Sequence, residues 1–293
     1  MRVLIVGCGY VGLPLGAELI RLGHEVSGLR RNASVENELK AAGIQPLFGD
    51  VTRPETLARL PREFDWVVNC VAAGGDAENY RQVYLQGTRN LIEWLAPHPP
   101  KKFLYTSSTS VYGQTDASQV KESSPTEPLV ETAKVLLETE KLLLAAVPEK
   151  KFPAVILRVA GIYGPDRGHW FKQFLKNEAR MEGDGSRFLN MIHRDDLTGC
   201  IIAALKNGRP GEIYNAVDEE PVSQLHFFQW LAQALDKPLP PSDPENPAEN
   251  RKRGVTNKRV SNRRLKMELG YQFKYPNFRK GYSAELLRLD RAG

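Results

Sequence analysis

Residues 2–23 read RVLIVGCGYVGLPLGAELIRLG, and the order of residue types in this stretch decides the fold. RVLIV is a short apolar, β-branched run, as in a strand buried on both faces of a parallel sheet. Gly7-x-Gly9-x-x-Gly12 follows at once, and then a helical stretch that ends at Gly23. Such a glycine triplet is a weak signal alone; between a strand and a helix it predicts a dinucleotide phosphate site. Gly7 allows the tight turn, Gly9 lets the backbone approach a pyrophosphate, and Gly12 lets the helix pack closely on the strand. The helix start offers N–H groups and the positive end of its dipole to phosphate. Tyr10 and Val11 lie inside the turn and are assigned to the same site, and Gly16 extends the small-residue face by one turn.

HEVSGL (24–29) predicts a second strand, which ends in Arg30-Arg31. A site that prefers NAD usually has an acid here, to hold the ribose. Two guanidinium groups suit a 2′-phosphate instead, so the expected cofactor is NADP ahead of NAD. PLFGD (46–50) predicts a third strand, ending at Asp50-Val51. DWVVNCVAAGG (65–75) predicts a fourth that opens into Ala72 and Ala73, small residues against which a flat ring can lie. The helix YRQVYLQGTRNLIEWL (80–95) follows. KKFLYTSSTSVYG (101–113) supplies a fifth strand with a hydroxyl-rich end, and PAVILRVAGIYGP (153–165) a sixth. This alternation predicts an α/β chain with a doubly wound parallel sheet, a Rossmann fold. Ligands bind at the carboxyl ends of such strands, where the glycines, Arg30, Asp50, Ala72 and Ser108 all fall.

The bulk numbers agree. The chain has 293 residues, 41% hydrophobic and 26% charged, as in a globular protein. Cys8, Cys70 and Cys200 show no metal spacing, no metal site is expected, and a reducing cytoplasm is the natural setting. The N-terminus has the positive start and apolar run of a signal peptide, but its ordered glycines and Glu18 argue against one. No apolar run reaches the ~18 residues of a membrane helix. Net charge is +5, unevenly spread: residues 251–293 hold 13 Lys/Arg against 3 Asp/Glu. A basic tail suits an anionic small-molecule substrate. Nucleic acid is not expected, because no module for it and no aromatics interleaved with Arg/Lys accompany the charge.

After Pro165 the pattern loosens. Residues 166–180 read as a loop and helix, 181–193 as a turn and short strands, 197–207 as a helix closed by Gly208, and 223–236 as an amphipathic helix. GEIYNAV (211–217) predicts the last strand of the main sheet, and proline-rich 237–247 an extended loop. The expected division is a dinucleotide-binding domain over 1–165, completed by the strand near 211–217. A smaller substrate lobe over 166–293 is interleaved with it. A homodimer is an open expectation. Arg251, Lys252, Arg253, Lys258 and Arg259 are the tail residues placed to meet an anion.

GCGYVGLPLG, GDV, TSSTSVYG, LRVAGIYGP, MIHRDDL and GEIYNAVDEEPVS occur in an order that resembles the extended short-chain dehydrogenases/reductases of the NAD-dependent epimerase/dehydratase type. TSSTSVYG, Val130 and the end LGYQFKYPNFRKGY are most similar to the atypical YeeZ-type branch. The resemblance implies an oxidoreductase in which a Ser/Thr at the fifth strand holds the substrate oxygen. It also implies a tyrosine acid/base and a lysine four residues later that lowers its pKa and holds the nicotinamide ribose. The serine position falls on Ser108 and the lysine on Lys134, in PLVETAK (128–134), but the tyrosine position falls on Val130. Ala160 and Gly161 fall where backbone meets the nicotinamide. A second departure puts Tyr84 where the resemblance implies an asparagine before the Gly87-Thr88 turn.

Hydride transfer to a carbonyl makes an alkoxide that needs a proton, and valine has none to give. Read as i and i+4, Val130 and Lys134 share a helical face. Tyr84 is therefore a candidate relocated acid; Tyr112, Tyr163 and His193 are alternative donors that also have packing or capping explanations. The leading expectation is an NADP-dependent oxidoreductase acting on a small molecule. The alternatives are a non-catalytic NADP-binding regulator and, third, a nucleotide-sugar epimerase or dehydratase.

Overall fold

The computed structural model describes residues 1–243 and 256–291. β1 (Arg2–Val6) is buried from Val3 to Val6, as a strand covered on both faces must be. Each such side chain, fully buried, contributes about 1.5–3 kcal/mol. α1 (Gly12–Arg21) returns along it, and the contact is close: a Cβ on Gly12 would stand 2.9 Å from Gly7 O and from Ile5 Cγ2. β2 (Glu25–Arg30), α2 (Glu36–Ala41), β3 (Gln45–Phe48) and α3 (Pro54–Leu57) follow, then β4 (Trp66–Asn69).

The helix expected over 80–95 has three parts. α4 (Ala77–Tyr80) runs into a π-helical turn (Arg81–Gln86), and α5 (Gly87–Leu95) continues. Periodicity cannot distinguish a π turn from an α turn in so short a stretch, but such turns are rare and cluster at functional sites. β5 (Lys102–Ser108), β6 (Ser118–Val120), α6 (Glu131–Lys150) and β7 (Ala154–Val159) come next.

The smaller elements are β8 (Gly161–Tyr163), α7 (His169–Leu175), β9 (Met181–Glu182), β10 (Phe188–Leu189) and β11 (Met191–His193). α8 (Arg194–Asn207) begins three residues before the expected Leu197. Its cap is His193, whose Nδ1 accepts the Asp195 N–H at 3.1 Å. Asp196 accepts from Tyr271 Oη and from the N–H groups of Lys274 and Tyr275, which ties the C-terminal segment down. β12 (Ile213–Ala216), β13 (Val222–Ser223) and α9 (Gln224–Leu235) precede β14 (Ser242–Asp243). β14 corrects the reading of 237–247 as loop alone: chain already extended by Pro240-Pro241 pairs with β9. β15 (Lys258–Val260), α10 (Arg263–Leu269) and α11 (Phe278–Asp290) complete the described chain, and the sequence reading missed α11.

Seven parallel strands form the main sheet in the order β12-β7-β5-β4-β1-β2-β3. This is a doubly wound Rossmann sheet whose direction of growth reverses at β1 and β4, the place where such sheets bind ligands. A second core, mainly aromatic, gathers Phe171, Phe174, Phe227, Phe228, Phe278 and Tyr282 from α7, α9 and α11. No described helix is long and apolar enough to cross a membrane.

Candidate active site

A cavity of about 440 Å³ opens at the carboxyl ends of β1, β2, β4, β5 and β7. Gly7, Gly9, Tyr10 and Val11 form one wall. Gly7 has φ +86°, and a Cβ there would lie 2.7 Å from Val71 N, so the turn after β1 excludes any side chain. The N–H groups of Tyr10 and Val11 donate to no acceptor among the described residues and are available to phosphate. Gly12 does its work behind the cavity, in the helix–strand contact.

Arg30 and Arg31 line the mouth beside Asn32. Arg30 Nη1 donates to Cys8 O at 2.7 Å, which lays its guanidinium across the glycine turn. Asp50 and Val51 line the same mouth. The Asp50 carboxylate is engaged locally, accepting from Thr52 N at 2.9 Å and Thr52 Oγ1 at 2.8 Å. The residues present fit a dinucleotide: free N–H groups at a helix start, a turn without side chains, and cations beyond it.

A second cavity of about 790 Å³ adjoins the first, and Ser108, Ala160 and Ile162 line both. Ala72 faces the first cavity, whereas Ala73 and Gly161 face the second. Trp170, Phe188, Tyr163 and Tyr282 supply much of its apolar wall, with Arg187 and Lys258 as its cations. Of the tail cations expected at an anion, Lys258 is here, while Arg259 is turned away, donating through Nε to Ala117 O at 2.9 Å. Arg251, Lys252 and Arg253 lie outside the described residues.

The start of α6 overturns one expectation. Val130 precedes the helix in extended conformation, φ −126° and ψ 152°, so it does not share a helical face with Lys134. Lys134 lines neither cavity; its side chain is 50% exposed and its Nζ lies 2.6 Å from Glu131 Oε1. It is a solvated ion pair, not a ribose ligand. α6 sends Leu136 to the cofactor cavity, and Thr132, one turn earlier, is buried on the same side. A tyrosine–lysine pair facing the cavity would have to stand at 132 and 136, where this chain has threonine and leucine. Both members of the implied pair are therefore absent from this face.

A match to the NAD dependent epimerase/dehydratase family extends over residues 3–216. The chain belongs to that family. It is an atypical extended short-chain dehydrogenase/reductase, 28% identical over 288 residues to Protein YeeZ of Escherichia coli K12, covering 94% of this chain and 97% of that one. A candidate NAD-dependent epimerase/dehydratase from Methylobacillus flagellatus, 34% identical, superposes with a TM-score of 0.79 over 99% of this chain and 98% of its own. DesIV, a dTDP-glucose 4,6-dehydratase of Streptomyces venezuelae solved with NAD bound, shares the fold: 22% identity, TM-score 0.84, covering 100% of this chain and 98% of that one.

Against this family's NAD-linked chemistry, the candidate proton donors sort clearly. Tyr84 is buried in the π turn and lines the cofactor cavity, its Oη accepting the Ala73 N–H at 3.2 Å. Tyr112 is committed elsewhere: its Oη donates to Asn215 Oδ1 at 2.8 Å and accepts from Arg158 Nη1 at 2.9 Å. Burial pushes its phenol up, and the Arg158 charge opposes that only in part. Arg158 also pairs with buried Glu140 at 2.7 Å, and Ser107 Oγ donates to Glu140 at 2.6 Å. Tyr163 stacks on Tyr282, ring centroids 4.4 Å apart, at the second cavity. His193 lines neither cavity, holds its cap and meets Glu285 at 3.3 Å through Nε2; burial lowers its pKa.

Ser108 stands where the two cavities meet, buried, with its Oγ accepting the Ser110 N–H at 3.2 Å. Sequence reading missed Asn32, Thr106, Ser107, Leu136 and Arg167, all at the first cavity. Four had a signal, since Asn32, Thr106, Ser107 and Arg167 sit at or just beyond predicted strand ends. The Arg167 guanidinium lies 5.0 Å from the Tyr10 ring, while Tyr10 Oη donates to Pro165 O at 2.9 Å. That contact closes the loop after β8 over the glycine turn.

Proposed function

We propose that the protein is an NADP-dependent oxidoreductase-type protein that holds the dinucleotide in the first cavity and a small molecule in the second. Tyr84 is the group that exchanges the proton. The observation that carries this reading is the junction: Ser108 borders both cavities, and a buried phenol lines the first. A dinucleotide held in the first cavity would supply or accept the hydride. Ser108 orients the carbonyl or alcohol oxygen, and Tyr84 gives the proton that reaches that oxygen or takes the one that leaves it. Arg30 and Arg31, at the mouth of the first cavity, favour a 2′-phosphate.

A second reading, a non-catalytic NADP-binding regulator, is favoured by Leu136 and Thr132 at the cavity face of α6. One comparison separates them. NADPH should bind about tenfold or more tightly than NADH, the scale of a charge-assisted phosphate contact. With a turnover substrate found among small carbonyl compounds, Tyr84→Phe should lose roughly 10²–10⁴ in kcat while keeping its NADPH affinity. Parent-like turnover in that variant sinks the role of Tyr84. NADPH binding with no turnover across the carbonyl panel favours the regulator.

A further inference from the structure

Lys258 opens β15 with 4% of its surface exposed, and its ammonium sits at the wall of the second cavity. Its Nζ donates to Tyr112 O at 2.7 Å and to Thr256 Oγ1 at 2.7 Å, both neutral acceptors. An ammonium has three donors, so one is left. Among the described residues no carboxylate pairs with it. Its charged neighbour is Arg187, a second cation on the same cavity. Arg187 is matched by Glu182, with Nε to Oε2 at 2.7 Å, so the pair of cations shares one acid.

Burying a charge without a counter-charge is costly, and setting a second cation beside it adds to the cost. Such an arrangement at the wall of a roomy cavity is stabilised when a ligand brings the negative charge. Ser110 adds a second sign: it lines this cavity, and its buried Oγ has no hydrogen-bond partner among the described residues. We propose that the second cavity takes a ligand whose oxyanion, a carboxylate or a phosphate, is held by Lys258 and Arg187. The apolar body of the ligand runs along Trp170 and Phe188 toward Ser108. This rests on the reading of the second cavity as the substrate half of the site.

The test compares the parent with Lys258→Met, which keeps the length of the side chain and removes its charge. Both are saturated with NADPH, so that the glycine turn does not take up the probes, and titrated calorimetrically with inorganic phosphate and with butanoate. The parent should bind one probe at least tenfold more tightly than the variant, and which probe binds distinguishes phosphate from carboxylate. Without a probe, Lys258→Met should melt at a higher temperature than the parent, because a buried charge without a counter-charge is gone. A merely structural lysine predicts the opposite, a lower melting temperature from the lost bond to Tyr112 O. Equal probe binding in parent and variant overturns the proposal, and so does failure of both probes to bind the parent. If NADPH itself does not bind, the cofactor reading fails; the parent–variant difference, measured without cofactor, still decides this one, because any anion at the glycine turn is common to both. If Lys258→Met does not fold, the parent's lysine Nζ resonance must shift on adding a probe, and an unmoved resonance overturns the proposal.

Discussion

The two cavities are built by different means. The first is a product of backbone: a turn after β1, the tips of β4, β5 and β7, and free N–H groups at the start of α1. The second is a product of side chains drawn from places as distant in sequence as Ala73 and Tyr282. The first takes its shape from a parallel sheet and stands wherever that sheet stands. The second depends on packing between segments that meet only in the finished fold. Ser108 lies on their common border, and under it runs the Ser107–Glu140–Arg158–Tyr112 network.

Four changes break or sharpen that contrast. Glu140→Ala should damage both cavities at once. It strands buried Arg158 and loosens Tyr112, whose carbonyl holds Lys258. Removing one partner of a buried pair costs about 3–5 kcal/mol, and chemical denaturation should read it. Gly7→Ala should damage the first cavity alone. A Cβ at φ +86° against Val71 N should cost roughly 2–4 kcal/mol and abolish NADPH binding by fluorescence titration, while the binding of probe anions at Lys258 persists.

The third change is in pH and concerns the second cavity. Burial, helped by the Arg187 charge, pushes the Lys258 ammonium down to about 7. Arg187, His169, Tyr80, Tyr163 and Tyr282 are the ionisable groups that line the cavity with it, and β6 sets Ser118 opposite it. Between about pH 7 and 10 the unfolded chain holds a proton that the folded chain has lost. Stability from this group therefore rises with pH through that window and is lowest below it. Relative to Lys258→Met, the parent should gain on the order of a few kcal/mol by urea denaturation between pH 6.5 and 9.5, and its anion binding should fade over the same rise. A flat difference between the two proteins contradicts the assignment. The smallest effect belongs to a residue in neither cavity. Lys134→Ala removes a solvent-exposed ion pair and should change stability by less than about 0.5 kcal/mol, with NADPH affinity unchanged.

The contrast also explains which parts were legible in the sequence. Strand, glycine turn and helix lie within 22 consecutive residues, so Gly7, Gly9 and Gly12 could be read directly, as could the strand tips at Arg30, Asp50, Ala72 and Ser108. The tyrosine–lysine positions of α6 lie two residues beyond Val130 and Lys134, because a lysine in the solvated face of the helix falls close to the register that the resemblance implies. A better guide was present. Glu131, Lys134, Glu138 and Lys141 recur at three- and four-residue spacing and mark the solvated face, which leaves Thr132 and Leu136 on the other side. Lys258 was noticed as a charge, but a basic run reads as solvated surface, and nothing local reveals that one lysine within it is buried. The π turn left no sequence signal either, since its extra residue alters the spacing of only one turn.

That turn has a consequence of its own. A π turn spends one residue more than the α-helix on either side, so α4 and α5 are joined out of phase by a single position. Deleting one residue between Arg81 and Gln86 would restore uniform winding, leave α4 and α5 on the faces they now hold, and re-aim only the residues of that turn, Tyr84 among them. Tyr84 would leave the cavity wall without any other residue being replaced. The phenol in this wall is thus addressable by chain length alone: a one-codon deletion, rather than a substitution, is the simplest genetic change that would take it away.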